Sequence, residues 1–303
     1  MRAKACRVLV LTQRPTVPLF ADSDDFPGAA IPLIAAMRSD PGRVRRNNED
    51  ACALAPELGA YVLCDGMGGA AGGEIASRLA VESFLKQLAA SEETGRGTRP
   101  QLRLEDALLA ANRAVLQHAQ THRELLGMGT TMVALLYVEP PAQERRLAAR
   151  AAPARMPRPD RPPDLHLLNV GDSRCYRLRE GSLVQLSTDH SFVEEQLRAG
   201  QITAEQALSS PMRNYVTRAV GPSSRVEADL ESYRTQPGDL YLLCSDGLSR
   251  ELQPEEMAAL LLQPRPADED AGAGLAARLE GLIGAANDCG GNDNITAILV
   301  LCP

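Results

Sequence analysis

Four acids stand at the ends of apolar, β-type runs or in the turns beside them: Asp65 in YVLCDGMGG, Asp172 in LLNVGDSRCY, Asp246 in YLLCSDGL and Asp293 in GGNDNITAILV. A carboxylate placed where a strand meets a tight Gly turn is held by a rigid element yet faces the rim of a sheet, the placement a hard cation requires. Like charges gathered there repel, and a cation removes the penalty. An Asp followed by Gly is most often only a turn residue. Three separate apolar strands ending in an acid, joined by Glu49 and Asp50 in RVRRNNED, are harder to explain as independent turns. Oxygen-only ligation, with no His in any of these segments, selects Mg²⁺ or Mn²⁺ over zinc or copper.

Arg45 and Arg46 precede the acidic pair closely enough to reach an oxyanion held beside it. An Arg among carboxylates is often just a salt-bridge partner. Beside metal-filled carboxylates, however, a guanidinium keeps spare donors for a phosphate, which it grips bidentately. The Gly-rich run GMGGAAGG (66–73) lacks a G-K-[ST] ending and does not match GxGxxG, so its better role is to let backbone approach the metals before a helix starts. His118 and His122 lie i, i+4 on an expected helix, but without a Glu-x-x-His context they read as a solvated face. His166 and His190 are isolated, and a turn role is the default for His190 in STDHSF. Cys64 and Cys244, just inside the runs that carry Asp65 and Asp246, read as small buried apolar residues.

These side chains need rigid supports. The expected strands are Ala60–Cys64, Thr131–Val138, Leu165–Val170, Cys175–Leu178, Leu240–Cys244 and Thr296–Leu301, each short, apolar and bounded by Gly, Asp or Pro. Helical spacing recurs at Val81, Phe84, Leu85 and Leu88, and again at Leu104, Ala107, Leu108, Ala111 and Val115, so two neighbouring helices should cover one sheet face. Leu275, Leu279, Leu282, Ile283 and Ala286 form a third such segment just before the last strand, which puts helices on the other face too. Residues 1–36, with one short β-like run at 6–11, are expected to be an extension of unknown order. The Pro-, Ala- and Arg-rich segment 139–164 reads as a flexible loop inserted between two strands.

The chain has 303 residues, 44% of them apolar, enough for a sizeable core in one large domain or two ordinary ones. A formal charge of −7 at pH 7 argues against a nucleic-acid backbone as the main partner. Seven cysteines, none in a CxxC pair, fit neither a disulfide framework nor a zinc ribbon; reduced thiols in a cytosol are the simpler reading. No apolar run is long enough for a membrane span, and MRAKACR leads into only VLVL, too short for a signal-peptide core. A soluble, cytoplasmic protein is expected.

Taken together, these residues resemble the metal-dependent Ser/Thr protein phosphatases of the protein phosphatase 2C class, particularly their bacterial single-domain members. SDPGRVRRNNEDA, VLCDGMGGAAGGEIAS, GMGTTMVALL, LNVGDSRCYRL, LSTDHSFVEEQLRAGQITAEQA, SSPMRNYVTRAVG, LLCSDGLSREL and GGNDNITAILV occur in the family's order from about residue 37 to the end. The resemblance implies a catalytic domain over residues 37–303 of α+β class: a four-layer α/β/β/α sandwich of two mixed, mainly antiparallel sheets, with the metal site at one end. It further implies that Asp65 bridges two metals, that Asp246 and Asp293 complete the first site, and that Glu49 with the carbonyl of Gly66 holds the second. Asp172 matches a ligand of a third, weaker site shared with Asp246, Asp50 and Asn294 match residues that act mostly from behind the ligands, and Arg45 matches the phosphate-binding Arg.

The implied cofactors are Mn²⁺ or Mg²⁺, two core ions with a weaker third. They lower the pKa of a bridging water so that hydroxide attacks phosphorus in line, and no Cys nucleophile is needed. Met67 occupies the position where many eukaryotic relatives carry a His thought to protonate the leaving group, which leaves a metal-bound water as the candidate acid. The implied partners are phosphorylated proteins and a Ser/Thr protein kinase acting on the same substrates, with no nucleic acid or membrane span, and a monomer is the expected state. Residues 187–221 match a flap beside the metal site. Two alternatives to a protein phosphatase are a catalytically weak or dead relative used as a binding module, which would usually lack a metal acid, and a hydrolase of small phosphate monoesters.

Overall fold

The computed structural model describes residues 9–11, 33–68, 72–93, 99–138, 164–264 and 270–303. Most of the expected extension, the centre of the Gly-rich run and the Arg/Pro-rich segment up to residue 163 lie outside the described residues. In chain order the elements are β1 (Leu9–Leu11), β2 (Ile34–Asp40), β3 (Asp50–Ala55), β4 (Ala60–Met67), α1 (Gly72–Glu93), α2 (Pro100–Thr121), β5 (Gly129–Thr130), β6 (Met132–Tyr137), β7 (Leu165–Val170), β8 (Arg174–Arg179) and β9 (Ser182–Gln185). They continue with α3 (Phe192–Arg198), α4 (Ala204–Ser209), β10 (Asp229–Tyr233), β11 (Leu240–Cys244), α5 (Asp246–Ser249), α6 (Pro254–Leu261), α7 (Ala271–Asp288) and β12 (Ile295–Leu301).

Two sheets form, one ordered β1-β3-β4-β6-β7-β10 with β5 on the end of β4, the other β2-β12-β11-β8-β9. All the paired strands in both are antiparallel. Side chains alternate across a strand, and here both faces are used. On β4, Tyr61 and Leu63 pack between the sheets against Tyr241 and Leu243 of β11 and Ile298 and Val300 of β12. Val62 and Cys64 turn the other way, onto Val81, Phe84 and Leu88 of α1 and Leu104 and Leu108 of α2. Across the molecule, Leu242 and Leu299 of the second sheet meet Leu275, Leu279 and Leu282 of α7. The result is the expected four-layer α/β/β/α sandwich.

Local chemistry explains the helices. Pro100 fits the first turn of α2, where its missing N–H is no loss, and the Asp270 side chain accepts from the N–H groups of Gly272 and Ala273 at the start of α7. All six expected strands are present, with Thr131 separating β5 from β6. Five further strands escaped the apolar pattern, one of them the two-residue β5. β3 reads DACALA because Ala51, Ala53 and Ala55 face the helical layer and leave α1 room to lie on it. β9 and β10 are polar and partly exposed at the sheet edges. β2 begins at Ile34, three residues ahead of the expected boundary at 37, and pairs with β12 from Ile34↔Leu301 to Asp40↔Ile295.

Residues 187–221 carry α3 and α4 and are tied down at both ends. The His190 N–H donates to the Gly171 carbonyl, and Val220 pairs with Thr130. Ser191 caps α3, and Thr203 and Gln206 form a capping box on α4.

Truncating the layer between the sheets tests this packing. Leu135→Ala should lower unfolding stability by about 2–5 kcal/mol, the usual cost of a cavity in a filled core. Urea titration of the two proteins measures it.

Candidate metal and phosphate site

The acids meet because antiparallel register puts them at one end of both sheets. Asp50 is the partner of Asp65 across β3 and β4, and the Gly66 N–H donates to the Glu49 carbonyl at 3.1 Å. The backbone of Asp65 is gripped from the next strand: its N–H donates to Thr131 Oγ1 at 2.9 Å, and Thr130 Oγ1 donates to its carbonyl at 2.8 Å. Asp246 opens α5 directly after β11, Asp293 sits in the turn before β12, and Asp172 lies in the β7–β8 turn.

Close backbone approach requires the first and last glycines of GMGGAAGG, Gly66 and Gly73. A Cβ on Gly66 would lie 2.1 Å from the Gly73 carbonyl oxygen and 2.5 Å from that of Glu49, and a Cβ on Gly73 would lie 2.5 Å from Glu49 Oε2. The run therefore lets α1 start against the Glu49 side chain, as its lack of a nucleotide-loop ending suggested.

Asn294 fastens the Arg45–Glu49 segment to β12. Its Oδ1 accepts from the Glu49 N–H at 2.8 Å, and its Nδ2 donates to the carbonyls of Pro41 (3.0 Å) and Asn47 (2.9 Å). Ser245 Oγ donates to Asp50 Oδ2 at 2.9 Å, which ties the buried Asp50 to the second sheet. Between these supports and the surface lies a cavity of about 180 Å³ lined by Arg45, Arg46, Asn47, Glu49 and Asn294.

Burial and crowding show in the protonation equilibria. Asp65 is pushed well above the usual carboxylate range, first by burial and then by Asp50, Asp246, Asp172 and Asp293. Burial likewise raises Asp50 and Asp172 to about 7, and it raises Asp246 and Glu49. Two arginines offset part of this charge. Arg45 donates to Asp293 Oδ2 at 2.8 Å, and Arg250 stands 2.6 Å from Asp246 Oδ2 and 3.0 Å from Asp172 Oδ2. Among the described residues no three acids already close on one point as a finished cage. Asp50 Oδ1 and Asp246 Oδ1 are nevertheless buried without a hydrogen-bond partner, and the donor set is all oxygen, so these residues fit a hard divalent cation.

The family model for Protein phosphatase 2C matches residues 43–282. The chain belongs to the protein phosphatase 2C family. The serine/threonine phosphatase stp of Listeria monocytogenes is 35% identical over 271 residues, covering 88% of this chain and 94% of that protein. The protein phosphatase PstP of Mycobacterium tuberculosis is 36% identical over 264 residues, covering 87% of this chain and 44% of that longer protein. The crystal structure of PstP/Ppp superposes with a TM-score of 0.71 at 34% identity, over 89% of this chain and 99% of that one. A structure of the PstP catalytic domain in complex with two manganese ions superposes with a TM-score of 0.70 at 32% identity, over 89% and 98%.

In this protein phosphatase 2C member, Arg45, Glu49, Asp50, Asp65, Gly66, Asp172, Asp246, Asp293 and Asn294 all stand at the same end of the sandwich. Reasoning from sequence missed their supports. Thr130, Thr131 and Ser245 act through hydrogen bonds between strands far apart in the chain, and no local pattern marks them. Arg250 was open to discovery, because it lies four residues after Asp246 where a helix opens. Two of the histidines lie elsewhere: His118 and His122 stack on each other, centroids 4.2 Å apart, at the exposed end of α2. His190, expected in a turn, is buried; its Nδ1 accepts from the Gly171 N–H and its Nε2 faces Asp229 Oδ2 at 3.2 Å. It anchors the 187–221 segment to the turn that carries Asp172.

Asp50 supplies a pH test with a definite sign. A carboxyl raised from 3.8 to about 7 holds its proton more tightly folded than unfolded. Its destabilising effect is therefore absent below about pH 4, grows as pH rises, and is complete above about pH 7. In chelator, Asp50→Asn should match the wild-type melting temperature near pH 4 and exceed it by roughly a few degrees at pH 8. Thermal melts across that range check the sign, and a gain that is equal at both ends would refute the burial of a charge.

Proposed function

We propose that the protein hydrolyses phosphoserine and phosphothreonine in other proteins, as a metal-dependent phosphatase. The observation that carries this reading is the convergence of acids from both sheets beside an Arg-lined cavity of a size that admits a phosphoryl group. Glu49, Asp65, the Gly66 carbonyl, Asp246 and Asp293 would hold two Mn²⁺ or Mg²⁺ ions, and Asp172 with Asp246 a third, weaker one. When bound, such ions supply the Lewis acidity that makes water nucleophilic near neutral pH and that offsets charge on the phosphoryl oxygens.

The chain's own groups do the rest. Arg45, steadied on Asp293, presents its remaining N–H donors to the phosphate from the cavity wall. Asp50 and Asn294 hold the acid-bearing strands in place rather than meeting substrate. Of the six cysteines described, all but the exposed Cys289 are buried, and Cys64 and Cys244 are raised by that burial, so none of the buried ones is a nucleophile. The 187–221 segment works as a flap that selects protein substrates. A Ser/Thr protein kinase would oppose the enzyme in the cytoplasm, and a monomer suffices because every site residue lies on one chain. Among the described residues no helix is long and apolar enough to cross a membrane.

Hydrolysis of a phosphothreonine peptide should require Mn²⁺ or Mg²⁺ and stop in EDTA, and Asp65→Asn or Asp246→Asn should reduce kcat/KM by about a hundredfold or more. Full turnover in excess chelator would overturn the reading. Arg45→Ala should lose phosphate recognition while metal content and fold persist. Unchanged kcat/KM would transfer that role to Arg46, the second guanidinium of the cavity.

The flap makes a separate demand. Arg198 and Arg213 are exposed on it, so Ala at either position should reduce rates on phosphopeptides several-fold more than on a small aryl phosphate. Both substrates reach the same centre, and equal losses would mean that the segment only supports it.

A further inference from the structure

Arg250 is not explained by the chemistry assigned above. It closes α5, and its guanidinium donates to Asp172 Oδ2 at 3.0 Å while standing 2.6 Å from Asp246 Oδ2. Asp172 and Asp246 come from separate turns, and one side chain holds them together. Asp172 is only 6% exposed, so bulk water offers little screening at its carboxylate. Arg250 itself keeps about a third of its side chain accessible (32%), which leaves it a path outward.

These two carboxylates are the pair assigned above to the third, weaker cation, and the present inference rests on that reading. Oxygens committed to a guanidinium at contact distance cannot also surround a divalent ion, so the two cations compete for the same acids. Arg suits the task because it remains charged at any working pH, and a single terminal nitrogen, Nη2, meets both carboxylates.

We propose that Arg250 is a built-in counter-ion for the Asp172–Asp246 pair and sets its affinity for a divalent cation. At low cation concentration the guanidinium holds both acids. At high concentration it swings toward solvent and the pair takes an ion. Arg250 holds only Oδ2 of Asp246, and the unpartnered Oδ1 stays available to the centre with Asp65, Glu49 and Asp293, so Arg250 separates a tight pair of sites from a concentration-sensitive one.

Titrating the chelator-stripped protein with Mn²⁺, with free Mn²⁺ read by electron paramagnetic resonance, counts bound ions without turnover. Wild-type protein should bind two ions tightly and a third weakly. Arg250→Gln should leave the first two unchanged and tighten the third by about five- to tenfold, the scale expected for loss of partly exposed ion pairs to two acids. Adding Asp172→Asn to that variant should remove the gain. Arg250→Lys, which preserves the charge and threatens the fold least, should fall between. Third-ion binding in both Arg250 variants equal to wild type, or a gain that survives Asp172→Asn, would overturn the proposal and leave the two-ion reading intact. Failure of the wild type to bind any Mn²⁺ would instead overturn both.

Discussion

Carboxylates crowded at one end of two packed sheets repel one another, and the surrounding structure exists to withstand that repulsion. Left to themselves, Asp50, Asp65, Asp172 and Asp246 would separate into water, since each is driven toward its neutral form by burial and by its neighbours. They stay because bonds from neighbouring strands fix them, to the backbone of Asp65 and Glu49 and to the carboxylate of Asp50. Thr130 and Thr131 clamp Asp65, Asn294 clamps Glu49, and Ser245 reaches across to Asp50. The carboxylates of Asp172, Asp246 and Asp293 are left for cations, whether the arginines already in contact or divalent ions.

Rigidity of this kind depends on the layers behind the site. The sheets cannot slide past one another while Tyr61, Leu63, Tyr241, Leu243 and Ile298 interdigitate between them, and so the ends of β4, β11 and β12 stay in step. α1 and α2 seal one outer face and α6 and α7 the other, which makes central strands such as β6 and β11 apolar on both sides. The same arrangement leaves only turns and strand ends for polar chemistry. Variation is consigned to segments that touch the body at few points, such as 187–221, held by His190 at one end and Val220 at the other.

Arg250 and Arg45 divide the positive charge of the site in different ways. Arg45 is more than half exposed, meets one acid and borders the cavity, the position of a group that hands donors to a ligand. Arg250 is more enclosed and meets two acids, the position of a group that manages charge within the protein.

Much of this was legible along the chain. An apolar run that ends in an acid, repeated at Asp65 and Asp246 and joined by Glu49 and Asp293, states both the strand and its chemistry, because strand periodicity and hard-cation ligands are local residue-type properties. The helices that cover the sheets were equally plain in the spacing of Val81 to Leu88 and Leu275 to Ile283. The Ala-rich β3 and the polar edge strands β9 and β10 were not, since their identity follows from what packs or pairs beside them. The same limit hid the supports. That Thr131 would hold Asp65, that Asn294 would hold Glu49 and that Arg250 would join Asp172 to Asp246 depends on contacts between residues from 66 to 245 positions apart in the first two cases and 78 in the last. Residue types and their spacing determined which chemistry the chain could perform; only the packing of two sheets decided which side chains meet to perform it, because hydrogen bonds and charge pairing act through space and not along the sequence.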